Sequence, residues 1–132
     1  MSLFIFSSST AVLGTIITYA FGGWSDLLSF FLLTIAIDYI TGIAASIKEG
    51  KGLDSNTGYW GLARKGLILL VILLAHRLDL LMKTNVVMNA SVFFYLANEL
   101  ISITENYGRL GLPMPDRLKQ AIEVLKNKNQ KP

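Results

Sequence analysis

The sequence contains no cysteine and a single histidine, His76. Disulfides and thiolate metal sites are therefore excluded, and one imidazole does not make a His-cluster metal site. Charge is also scarce. Asp, Glu, Lys and Arg make up 16% of the 132 residues, against about 25% in a soluble domain. No charged side chain precedes Asp26. A secretory leader would need a basic start and a small-residue cleavage site, and neither is evident. The segment Gly50-Lys51-Gly52 lacks the Gly-Lys-Ser/Thr ending of a phosphate-binding loop. No nucleophile–base pair, metal set or cofactor motif is present. The expectation is no catalytic residue, no cofactor, no metal and no enzyme.

What the chain has is apolar length. Hydrophobic residues make up 52%, and the mean hydropathy is +0.50. They cluster in long runs, the pattern of bilayer burial and not of a water-soluble core. Four runs stand out, at about residues 3–21, 27–47, 62–82 and 86–105. About 20 residues of helix span the hydrocarbon. The second and fourth runs meet that plainly, interrupted by Asp38 in the one and, up to Thr104, by Glu99 alone in the other. The third carries His76, Arg77 and Asp79, and the first is diluted by Ser7, Ser8, Ser9 and Thr10.

The expected fold is an all-α integral membrane protein with four transmembrane helices, or three if the first run is re-entrant or interfacial. A short amphipathic helix follows. Leu118, Ala121, Ile122 and Leu125 recur at helical spacing over residues 115–127, and the basic polar face suits an anionic leaflet. The chain divides into a helical membrane domain, residues 1–107, and a tail, residues 108–132. Gly50 to Gly61 reads as a loop, and Gly108, Gly111, Pro113 and Pro115 as helix breakers.

Basic residues set the orientation. Ten of the twelve Lys and Arg lie in the loop between the second and third runs, counted with Arg64 and Lys65 at the headgroup-level start of the third, or in the tail. Both regions are expected in the cytoplasm, C-terminus included. The net charge of +3 then reports on orientation and anionic lipid, and nucleic acid is not an expected partner.

The polar residues inside the runs carry the functional reading. Asp38, Thr41, Gly42 and Ala45 share one face of the second helix. Small residues there allow close helix approach, either within the chain or between copies. Asp38 lies near the bilayer midplane, where a charge costs about 2.5–3.5 kcal/mol, so it faces protein or water. On the fourth helix, Ser91, Tyr95, Asn98, Ser102 and Glu105 form a heptad-like seam, bordered by Glu99 and Asn106. Intrachain packing and pore lining both fit it. On the third helix, Arg77 is expected to reach Asp38, and Asp79 to pair locally with His76 or Lys83. His76 reads as a packing hydrogen-bonder.

Read in order, these features resemble a known family. They are Asp38-Tyr39-Ile40-Thr41-Gly42, a Lys-containing loop with Arg64-Lys65, Asp79 after a Leu-rich run, Asn98 to Asn106, and Gly111-Leu112-Pro113-Met114-Pro115. Together they resemble the phage lysis holins related to clostridial toxin-secretion holins, over roughly Leu27 to Leu125. The N-terminal run carries no motif. The resemblance implies a pore-former that oligomerises with itself in the bacterial cytoplasmic membrane. It opens lesions that release an endolysin for host cell lysis, or a toxin. Its candidate oligomerisation and pore residues here are Asp38, Thr41, Gly42, Ala45, Arg77, Asp79, Tyr95, Asn98, Glu99, Ser102, Glu105 and Asn106. Two other classes fit the residues as well: a small ion channel or transporter subunit, and a non-conducting membrane adaptor.

Overall fold

A computed structural model describes residues 1–52 and 54–130. Leu53, within the expected loop, and Lys131, counted in the basic tail, lie outside the described residues. Five helices follow in order: α1 Ser2–Phe21, α2 Asp26–Lys48, α3 Ser55–Met82, α4 Val87–Leu110 and α5 Asp116–Gln130. Among the described residues there is no strand. Three of the helices, α1, α2 and α4, are long and apolar enough to cross a membrane. The longest helix, α3, is interrupted by Arg64, Lys65, Arg77 and Asp79.

Short polar devices set the helix ends. Gly22 closes α1 in the left-handed region (φ 76°), its N–H donating to the Thr18 carbonyl at 2.9 Å. The Ser25 hydroxyl accepts from the Leu28 N–H at 3.1 Å and starts α2. Asp54 starts α3, accepting from the Asn56 N–H at 3.1 Å and the Thr57 hydroxyl at 2.9 Å. The helix therefore begins at Ser55, before position 62, and takes in a stretch that reads as loop. Its glycines do not interrupt it, and a side chain at any of them would make ordinary contact or none. A Cβ at Gly58 would lie 3.6 Å from the Tyr39 hydroxyl. Likewise α4 runs through Gly108 and stops at Gly111, which adopts φ 73°.

Helix α2 packs most extensively on α4, and α3 lies against both. Phe31, Ile72, Val92 and Leu96 form the core between these three helices. A second cluster joins Ile103 of α4 to Met114 and Ile122, which docks α5. Helix α1 touches α3 alone and is exposed along nearly its whole length. Its Thr10, Thr15 and Thr18 hydroxyls donate to carbonyls one turn back, at 2.8–2.9 Å. That satisfies them without a neighbour. Leu33, Ile40, Leu74 and Leu81 also point outward. An apolar exterior of this kind suits hydrocarbon and not water.

Candidate functional site

The polar residues inside the bundle converge on one lysine. Lys65 Nζ of α3 lies 2.7 Å from Asp38 Oδ2 of α2 and 2.8 Å from Glu99 Oε2 of α4. All three side chains are largely buried, Glu99 only 5% exposed. Each helix that borders the core therefore contributes one member of the triad. Depth explains the match. Asp38, Lys65 and Glu99 each sit roughly three turns from the same end of the bundle, the end holding Lys48, Ser55 and Leu110.

Asn106 extends the network along α4. Its Nδ2 donates toward Asp38 Oδ1 at 2.9 Å, Thr41 Oγ1 at 3.0 Å and the Asp38 carbonyl at 3.1 Å. The Thr41 hydroxyl in turn donates to the Ile37 carbonyl at 2.7 Å. Arg109 Nη1 donates to Asn106 Oδ1 at 3.3 Å, and the same guanidinium grips Glu49 through Nε at 2.7 Å and Nη2 at 3.3 Å. Lys51 lies 3.1 Å from Glu49, and Lys48 donates to the Leu110 carbonyl. Glu49 follows α2 outside the apolar span. Hydrogen bonds from Arg109, then from Lys51, hold its carboxyl down at about 2. A continuous polar chain thus runs from Glu99 to the 49–51 turn.

Beside that chain lies a cavity of about 580 Å³, lined by Asp38, Gly42, Ser46, Arg64, Lys65 and Ser102 among others. Lys51, Gly52 and Asp54 also line it, so Asp38 and Lys65 have a polar route to that end of the bundle. Gly42 faces the network: a Cβ there would sit 3.6 Å from Asn106 Nδ2, an ordinary contact. Ala45 is fully buried. In this chain the small-residue face of α2 is turned onto α4.

Two expected pairings are corrected. Arg77 does not reach Asp38. It lies near the opposite end of α3, its guanidinium 4.2 Å above the Tyr19 ring and 3.5 Å from the Tyr19 carbonyl. Asp79 pairs with neither His76 nor Lys83. It accepts from the Thr84 hydroxyl at 2.6 Å, the Val87 N–H at 2.9 Å and the Met88 N–H at 2.8 Å. Val86, the residue at the start of α4, makes no side-chain cap, so the end of α3 caps α4 instead. His76 packs against Gly22, where a Cβ would meet its ring at 2.7 Å.

The α4 seam divides. Glu99, Ser102 and Asn106 face the network, whereas Asn98 and Glu105 are exposed and Tyr95 packs beside the core against Phe94. Lys65 is the residue that sequence reasoning did not pair. With α3 begun at Asp54, its depth equals that of Asp38, and that signal is present in the capping residue.

The profile of the bacteriophage holin family matches residues 15–127. A probable holin of Bacillus phage phi105 is 38% identical over 112 residues, covering 84% of this chain and 82% of the relative. An uncharacterised protein of Halalkalibacterium halodurans is 41% identical over 129 residues, covering 93% of this chain and 95% of the relative. An uncharacterised 14.9 kDa protein of Clostridium perfringens is 45% identical over 118 residues, covering 88% and 89%. No solved structure matches.

Proposed function

Because this chain belongs to the bacteriophage holin family, we propose that it forms pores, oligomerising in the bacterial cytoplasmic membrane and permeabilising it. The released cargo is an endolysin that lyses the host, or an exported toxin, and neither need bind the protein. The observation that carries this reading is the Asp38–Lys65–Glu99–Asn106 network inside a bundle with an apolar exterior. In hydrocarbon, buried charges stay buried only while they pair. The closed bundle satisfies them with one another. Once helices part, the same side chains suit a water-lined wall, which gives two discrete arrangements and no stable intermediate.

The exterior of α4 supports self-association. Asn98 is exposed beside Phe94 and Ile101, well inside α4, and lipid does not solvate its amide. A second copy supplies the polar partners that lipid lacks. The basic tail and the 49–54 connection are cytoplasmic on the positive-inside rule, and α5 lies against the anionic inner leaflet.

Inducible expression with and without a cytoplasmic endolysin tests the proposal. Rapid lysis is expected only when both are present. Unchanged turbidity with this protein abundant in the membrane and active endolysin in the cytoplasm refutes it. In liposomes, release of large dyes supports a holin lesion, whereas release of ions alone favours the ion-channel reading. For topology, Asn56→Cys and Lys126→Cys should resist an impermeant thiol reagent in intact cells, and labelling of either before lysis overturns the orientation.

A further inference from the structure

The triad has an odd charge count. Two carboxylates, Asp38 and Glu99, share one ammonium, Lys65, in a largely buried site at the middle of three packed helices. Fully ionised, the site carries a net negative charge, which a low-dielectric surrounding strongly disfavours. Among the described residues no other cation is in contact with it. Arg109 is engaged by Glu49 and Asn106, and Arg64 lines the cavity but is exposed and bonds neither carboxylate. On α2 the other titratable neighbour is Tyr39, whose hydroxyl points to Gly58. Helix α5 and the connection before it meet α4 through apolar Ile122 and Met114, the basic residues of α5 exposed, and α1 touches neither α2 nor α4.

We propose that Asp38, Lys65 and Glu99 form a proton-binding site: the two carboxyl groups hold one exchangeable proton between them, supplied by water through the cavity that Asp38 and Lys65 line. With that proton bound, one neutral acid, one carboxylate and one ammonium sum to zero, and every contact in the triad is kept. Water in the cavity donates the proton to a carboxylate oxygen and recovers it on release. Asp38 and Lys65 both line the cavity wall, so neither step needs a route through lipid. A second proton, taken up in acid, leaves Lys65 without a counter-charge and detaches α3 from α2 and α4 in this half of the bundle. The site belongs to the resting bundle, and it stands whether or not the membrane later opens.

Carboxyl-region infrared spectra of the full chain in lipid vesicles at neutral pH read the proton directly. Wild type is expected to show one protonated carboxyl per chain, shifting promptly in heavy water. Glu99→Gln and Asp38→Asn should each show none, because the remaining carboxylate neutralises Lys65. Lys65→Met should show two. Carboxyl-labelled aspartate or glutamate in the unsubstituted chain must displace the wild-type band, which keeps the test valid if a variant fails to fold. A wild-type spectrum without the band overturns the proposal, as does a band that survives both amide substitutions. A band that never shifts in heavy water overturns the supply route.

Discussion

Asn106→Ala removes the side chain that ties α4 to α2, and the structure sets the size of the loss. Asn106 is 5% exposed, and its two amide hydrogens serve Asp38 Oδ1 at 2.9 Å and Thr41 Oγ1 at 3.0 Å. The first bond is to a carboxyl group and the second to a hydroxyl. Interhelical bonds in membranes contribute about 1–2 kcal/mol in model systems, less in some whole proteins. Leaving an acceptor buried and unmet adds to that loss. The two together place Asn106→Ala at about 2–3 kcal/mol, or roughly a 30- to 150-fold fall in the folded-to-unfolded ratio. Reversible unfolding in mixed micelles, followed by circular dichroism, measures it. Asn106→Asp keeps the shape but turns the donor into an acceptor opposite Asp38, so it should cost more at neutral pH and recover in mild acid. Gly42→Ala is the control: its Cβ would make only an ordinary 3.6 Å contact with Asn106, and stability should hold. Should Asn106→Ala stay within about 0.5 kcal/mol of wild type, the typical range of a surface change, the bridge holds nothing and the reasoning fails.

Lys65→Met strands two buried acids and should cost about 3–5 kcal/mol, most of it recovered when Asp38→Asn and Glu99→Gln are added; a thermodynamic cycle pairing Asp38→Asn with Arg77→Gln should instead be additive, and coupling there would restore the discarded pairing. Gly22→Ala forces a side chain into φ 76° and onto the His76 ring at 2.7 Å, so the Tm should fall, and His76→Ala should relieve part of the fall; no change in Tm contradicts the contact. The Glu49–Arg109 clasp has a defined pH window. Its carboxyl is depressed from 4.5 to about 2, so its contribution is whole above 4.5 and is lost as pH falls toward 2. The protection of the Gly50 and Lys51 amides, measured against the intrinsic exchange rate at each pH, should fall as pH drops through that window in wild type and stay flat in Arg109→Gln, and a flat wild-type profile counts against the clasp.

The sequence by itself determined the class of the protein and most of its elements. Apolar runs too long for a soluble core and almost free of charge leave the backbone no option but helices, and Ser25, Asp54, Gly22 and Gly111 mark ends by local chemistry. Asp38, Glu99 and Asn106 were legible as a problem, since an ionisable group deep in an apolar helix must meet something. Which partner it meets was not legible. Lys65 lies 27 residues from Asp38 and 34 from Glu99, and no periodicity within one helix connects such positions. Only the relative depth and rotation of α2, α3 and α4 chose Lys65 over Arg77. Asp79 shows the same limit from the other side, because its partners lie on the following turn and helix. Asn98 and Glu99 are adjacent in sequence, yet one is exposed and the other buried. Each turn of helix presents every direction, and packing alone decides which of them becomes the inside.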